Sequence, residues 1–228
     1  FNTANYTKGY YNEADINYFE NNTDLLLTYR DQFSKDLGFR VSAGGNIRKT
    51  EYRNKTGYVI GLVTPGVYKL SNGVTSPFLK STNRDKQVNS LYGTVSMNYG
   101  KILFLDVTGR NDWSSTLPVK NNSFFYPSTS LSGVVSDMVK LPSQISFLKL
   151  RASWAQVGND TNPYKTSKYY TISEFSGSAL MPITLHNADF RPEISTSYEV
   201  GVDFRMSRNR LNLDLTGYQN STKNQNID

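Results

Sequence analysis

Cysteine is absent, so the chain can hold no disulfide framework, no thiolate metal site and no cysteine nucleophile. Histidine occurs once, at His186, which removes any multi-histidine metal centre and most serine–histidine arrangements. Long apolar runs are missing too. No stretch approaches the roughly 20 apolar residues that a membrane-spanning helix requires. No glycine-rich phosphate loop is present: "GNIRKT" at 45–50 has the wrong glycine-to-lysine spacing. Nor is there a basic block of the kind that binds nucleic acid. Lys+Arg is 25 against Asp+Glu 19, and the resulting +6 is spread along the chain. From Phe1 onward there is neither a charged n-region nor an apolar h-region, so no signal peptide is expected there. Helix signals are confined to a turn or two around Asp137–Leu141, before Pro142.

What remains is alternation. In "YEVGVDFRMSRNRLNLDLTGY", Tyr198 to Tyr218, the residues Tyr198, Val200, Val202, Phe204 and Met206 share one face, and Glu199, Gly201, Asp203 and Arg205 share the other. After Ser207–Asn209 the pattern resumes, with Leu211, Leu213 and Leu215 against Asn212, Asp214 and Thr216. A repeat of two is that of β-strands and predicts a hairpin. The same test predicts strands near 24–31, 37–48, 90–98, 102–110, 129–136 (weakly) and 146–157. The fold class expected is all-β, with antiparallel up-and-down strands, about eight in number.

The connections alternate as well. Polar turns near Ser34, Tyr99–Lys101, Pro142 and Ser207–Asn209 are short or modest. Long stretches rich in Asn, Ser, Thr, Gly, Pro and Tyr are expected near 49–89, 111–128 and 158–194. Loops of such length are uncommon in compact domains and are usually functional. Outer-membrane barrels have short turns at one end, long loops at the other, an outer apolar face and a polar lumen. A mean hydropathy of -0.52 does not exclude them, because alternating strands hide their apolar face from any running average. A soluble, secreted β-sandwich for glycan binding or adhesion is the rival. It predicts Leu211, Leu213 and Leu215 packed in a protein core.

Two stretches carry a specific resemblance: residues 89–137, with "GRNDWSSTLP" followed by "FFYPS", and residues 147–164, "FLKLRASWAQVGNDTNPY". With 194–225 they resemble the barrel region of SusC/RagA-type TonB-dependent transporters, outer-membrane proteins of Bacteroidetes. "VTPGVYKLSN" at 63–72 is similar to the long loop of that family. The resemblance implies a partial segment of a large transmembrane β-barrel over residues 1–228, with the plug domain and TonB box absent. It implies uptake of nutrients such as oligosaccharides or peptides, with a SusD-like lipoprotein as lid. It also implies energy from TonB–ExbB–ExbD acting through the missing plug, contact with outer-membrane lipid, no cofactor, no nucleic acid and no enzymatic activity.

The candidate contact residues lie in the expected loops. Arg110, Asp112 and Trp113 follow the fourth strand; they read either as a polar network at the rim or as an ion pair beside an interfacial tryptophan. Asn159 and Asp160, with Asn162, offer oxygen ligands to a hard cation, or simply form turns with their own backbone. Tyr10, Tyr11, Phe124, Phe125, Tyr126, Tyr169 and Tyr170 offer rings for stacking on sugars, or serve as anchors and loop packing. Glu199, Asp203, Arg205 and Asp214 read as cross-strand charge pairs in a wet lumen rather than as paired catalytic acids.

Overall fold

A computed structural model describes residues 8–166, 170–172, 178–181, 187 and 189–225. Its strands are β1 (Tyr10–Gln32), β2 (Leu37–Ile60), β3 (Phe78–Tyr99), β4 (Leu103–Ser114), β5 (Ser123–Val134), β6 (Ile145–Asn159), β7 (Thr171–Ile172), β8 (Ala179–Leu180), β9 (Glu193–Met206) and β10 (Leu211–Lys223). Eight of them form one sheet in the order β1-β2-β3-β4-β5-β6-β9-β10, and β7 pairs only with β8. Every neighbour in the large sheet is the next main strand in sequence, which is an up-and-down meander. A single helical turn, α1 (Val135–Met138), begins two residues before the Asp137–Leu141 turn expected from the sequence and overlaps it.

The strands outrun the sequence reading. The loop expected over 49–89 is confined to 61–77, the one over 111–128 to 115–122, and the one over 158–194 to the residues between Asn159 and Glu193. Tyr10 and Tyr11, expected on a loop, open β1. The reason is charge. From Lys49 to Lys55, and again from Lys80 to Lys86, charged or polar side chains occupy both strand faces, so no apolar alternation marks these stretches.

The chain divides into two compact units. One comprises Phe1–Asn21 and Arg48–Lys86. Within it, Arg53 pairs with Asp85 across β2 and β3, and Lys49 Nζ lies 2.7 Å from Glu51. Its loop is packed rather than loose. Asn72 Nδ2 donates to the carbonyls of Thr64 at 2.8 Å and Val67 at 2.7 Å. A Cβ on Gly73 would stand 2.6 Å from Cγ1 of buried Val59, so only glycine lets the loop close there.

The other unit comprises Asn22–Ile47 and Gln87–Asp228. Its register sorts side chains into two faces. One row runs Leu103, Gly133, Leu150, Val202, Leu215, and the next runs Leu105, Leu131, Ala152, Val200, Gly217. A bulge between Ile145 and Phe147 keeps Ile145 and Leu148 on this same face, opposite Met206 and Phe204. The row Asp106, Ser130, Ser153, Glu199 shows the character of the opposite face.

The sandwich expectation is not met. Leu211, Leu213 and Leu215 are 54%, 44% and 56% exposed, so no second sheet covers the closing hairpin. Among the described residues, the few buried apolar side chains do not amount to a core for a chain of this length. The apolar face is left uncovered instead.

Candidate functional site

The polar face carries a connected network near the ends of β4 and β5 that lead into 115–122. Arg110 is its centre. Its Nε donates to Asp112 Oδ1 at 2.8 Å and its Nη2 donates to Ser90 Oγ at 2.8 Å. Asp112 is 7% exposed, and a carboxylate so buried needs more than one donor. The second is Tyr126 OH, 2.7 Å from Oδ2. The guanidinium also stands 5.7 Å from the ring centre of Tyr92, close enough for a cation–π attraction.

From Tyr92 the network continues to the first two strands. Tyr92 OH donates to Asp24 Oδ1 at 2.6 Å. Asn46 Nδ2 donates to Asp24 Oδ2 at 3.1 Å and to Asn22 Oδ1 at 2.8 Å. One continuous band of amides, hydroxyls, carboxylates and a guanidinium thus crosses β1 to β5. Gly44 makes the passage possible: a Cβ there would lie 2.6 Å from the Tyr92 ring.

The aromatic candidates part company by parity. Phe124 and Tyr126 sit opposite Asp112 and Arg110 on the polar face, with their rings stacked at 6.0 Å. Trp113 and Phe125 alternate to the apolar face, and Phe125 is 60% exposed over Gly109. They cannot join the same surface as Arg110. Tyr170 is 65% exposed and apart from the network. Tyr169 and His186 lie outside the described residues.

Asp160, after β6, accepts from Ser114 Oγ at 2.5 Å, tying that connection to the end of β4. Asn159 ends β6 opposite Glu193. Among the described residues no three metal-ligating side chains gather. Gly158 is packed against the aromatic pair, and a Cβ there would stand 2.4 Å from Phe124 Cδ2. Gly158→Ala is therefore expected to expel the Phe124 ring and destabilise the sheet by about 1–3 kcal/mol through overpacking. Thermal unfolding of the intact protein in detergent checks this, and an unchanged midpoint would refute it.

Beyond β4, two connections are clasped. Lys120 Nζ lies 2.7 Å from Asp189 Oδ1, and Asn121 Nδ2 donates to that oxygen at 3.1 Å and to the Phe190 carbonyl at 3.0 Å. The hydrogen bond from Lys120, then that from Asn121, holds the Asp189 carboxyl below its ordinary value of 3.8. A lowered carboxylate pKa means the clasp is complete above the ordinary value and is lost as pH falls through the lower, folded one. Hydrogen-exchange protection of 115–122 should therefore persist at neutral pH and fail in acid. Lys120→Ala should move the loss to higher pH. Protection independent of pH would count against the clasp.

Arg151, Asp214 and Thr216 complete the polar face farther along. Arg151 on β6 reaches over Gly201 of β9 to Asp214 on β10, with Nη2–Oδ1 2.6 Å, and to Thr216 Oγ1 at 2.5 Å. A Cβ on Gly201 would lie 2.3 Å from Arg151 Nε, so the crossing requires glycine. Asp203 and Asp214 are directly opposed in register, and Arg205 Nη2 at 3.0 Å from Asp203 relieves the repulsion from the other side. Of the four charges expected to pair across strands, Glu199 and Asp214 do so only through Arg151 of β6, whereas Arg205 pairs with Asp203 along β9 itself.

Comparison with known proteins decides what such a two-faced meander is. The family described as "TonB dependent receptor-like, beta-barrel" matches residues 1–226. The chain belongs to that family. TonB-dependent receptor P3 of Formosa agariphila is 25% identical over 225 residues, 92% of this chain and 22% of the relative. TonB-dependent receptor P39 of the same organism is 26% identical over 159 residues, 66% of this chain and 15% of the relative. In fold, the receptor segment is similar to a chain of the RagAB peptide transporter, with a TM-score of 0.81 at 17% identity, covering 92% of this chain and 24% of that one. The RagAB importer in its "open-open" state is similar at 0.79 and 18%. The segment spans about a quarter or less of the length of these proteins.

These findings agree with the SusC/RagA-type resemblance read from 89–137 and 147–164. The segment is part of an outer-membrane β-barrel. In such barrels an apolar face meets lipid and a polar face borders the lumen, and only a closed wall of strands satisfies backbone amides in hydrocarbon.

Proposed function

We propose that this segment forms part of the wall of an energised outer-membrane importer that takes up oligosaccharides or peptides. The observation that carries the reading is the continuous lumenal band from Asn22 and Asp24 through Asn46, Tyr92, Ser90, Arg110 and Asp112 to Tyr126. Such a row of fixed donors and acceptors with two ring faces suits a cargo rich in hydroxyls or amides. In this reading 61–77, 115–122 and the connection between β6 and β9 face the cell exterior, and the turns after β1, β3, β5 and β9 face the periplasm.

A SusD-like lipoprotein covers the exterior end and captures cargo above the band. TonB, driven by ExbB and ExbD, acts on a plug within the whole receptor. The wall itself performs no catalysis and holds no cofactor. The similar RagAB structures are described as those of a peptide transporter, which supports testing peptides beside oligosaccharides first.

Deletion of the whole gene tests this. Growth on a panel of oligosaccharides and peptide mixtures should be lost for one class, and loss of TonB should reproduce the defect. The paired change Tyr92→Ala with Tyr126→Ala should reduce uptake of that class while leaving barrel amount unchanged. A deletion strain that grows on every member of the panel as well as its parent overturns the importer reading.

A further inference from the structure

The lipid-facing rows are not level. Where Gly133, Ala152 and Gly217 fall among larger neighbours, the wall is hollowed into a groove of about 780 Å³. Leu103, Leu131, Leu150, Val202 and Leu215 rim it, and Val135 and Met138 of α1 overhang it from the side of the short turns. That volume lies inside the roughly 300–1,000 Å³ range of small-molecule sites. The floor is open. A Cβ placed on Gly217 would meet nothing closer than Val200 Cγ2 at 4.0 Å.

Charge accompanies the groove. The segment 135–144 and the turn 207–210 are joined by a hydrogen bond from Ser207 N to the Gln144 carbonyl at 2.8 Å. Between them they carry Lys140, Arg208 and Arg210, against one acid, Asp137. All three cations are exposed, and none has an ion-pair partner among the described residues. Along β9, Met206 at the turn end is about 13 Å from Val202 at the groove, at 3.3 Å per residue. Phe204, Leu213 and Leu148 pave the interval on the same face. Half the hydrocarbon core of a bilayer is about 15 Å deep. A molecule with its anionic head at the turn thus places its tail in the hollow.

We propose that this groove, with Lys140, Arg208 and Arg210, is a binding site for one anionic glycerophospholipid of the periplasmic leaflet. The three cations hold the phosphate, and an acyl chain lies over Ala152 and Gly217, beside Met138 where it covers Gly133. The proposal rests on the outer-membrane reading and on the orientation that puts the short turns in the periplasm. Clustered Lys and Arg at a membrane surface attract anionic lipid, whereas a smooth apolar wall makes no choice among headgroups.

Native mass spectrometry of the intact receptor, released from mixed micelles containing phosphatidylglycerol and phosphatidylcholine, tests the site. Wild type should retain phosphatidylglycerol at collision energies that strip phosphatidylcholine. Each cation removed should lower that preference on the order of five-fold, so Lys140→Ser with Arg208→Ser and Arg210→Ser should abolish it. Gly217→Leu fills the hollow and should reduce retention of both lipids. Equal retention of the two lipids by wild type overturns the proposal. So does wild-type retention by either variant, which would leave only diffuse attraction. Extraction by urea from vesicles is measured in parallel. A receptor that leaves vesicles without detergent fails the membrane reading and the site together, whereas a retained, folded barrel with no headgroup preference fails the site alone.

Discussion

Leu131→Arg is expected to destabilise the barrel by about 2–4 kcal/mol, the usual penalty for a cation on the lipid face near the bilayer midplane. Ser130→Arg, one residue earlier, is expected to change stability by less than about 1 kcal/mol, since a polar position facing water tolerates charge. Leu131 is 48% exposed and lies between Leu105 and Ala152 in an unbroken apolar row, whereas Ser130 lies between Asp106 and Ser153. Urea titration of the intact protein folded into vesicles, followed by heat-dependent gel migration, compares the two. Equal costs would mean that the two faces of β5 share one environment, and the lipid assignment would fall.

Asp112→Ala is expected to cost about 2–3 kcal/mol, because one truncation strands two donors at once. Arg110 loses its 2.8 Å partner and Tyr126 its 2.7 Å partner at a carboxylate that is 7% exposed, although the Arg110 side chain is itself 37% exposed. Asp112→Asn should cost less, since its carbonyl oxygen still accepts one of the two. Tyr126→Phe should cost the least of the three, about 0.5–1.5 kcal/mol for one hydrogen bond. The order Ala, Asn, then Phe at residue 126 is the diagnostic feature in chemical unfolding. If Asp112→Ala were neutral, water would be serving these donors as well as the carboxylate does. The band could then not be called preorganised.

The sheet was legible in the sequence wherever one face had to be apolar. Val95, Val107, Leu150 and Val200 alternate cleanly because lipid demands it, and the meander follows from short turns between such runs. The upper parts of β2 and β3 were not legible, because Lys49, Glu51, Arg53 and Lys80 impose no face contrast on strands held by backbone ladders and ion pairs. Of the site, Arg110, Asp112 and Tyr126 could be found from their neighbourhood in "GRNDW" and "FFYPS". Asp24, Asn46 and Ser90 could not. They join the network only through register between strands far apart in sequence, and no local pattern encodes which residue ends up beside which. Register also separates Phe125 and Trp113 from Phe124 and Tyr126, a division that adjacency in sequence conceals.

The crossing of Arg151 above Gly201 bears on how the wall is put together. A hairpin that slips by one position turns its oily side inward and is rejected at once, but a slip by two keeps every side chain on its proper face. Only a landmark that recurs nowhere else along the strand can detect the larger error. Glycine at 201 and carboxylate at 214 supply such a landmark, so a wall zipped up two notches out of place would leave a guanidinium jammed against a side chain and an acid without its mate.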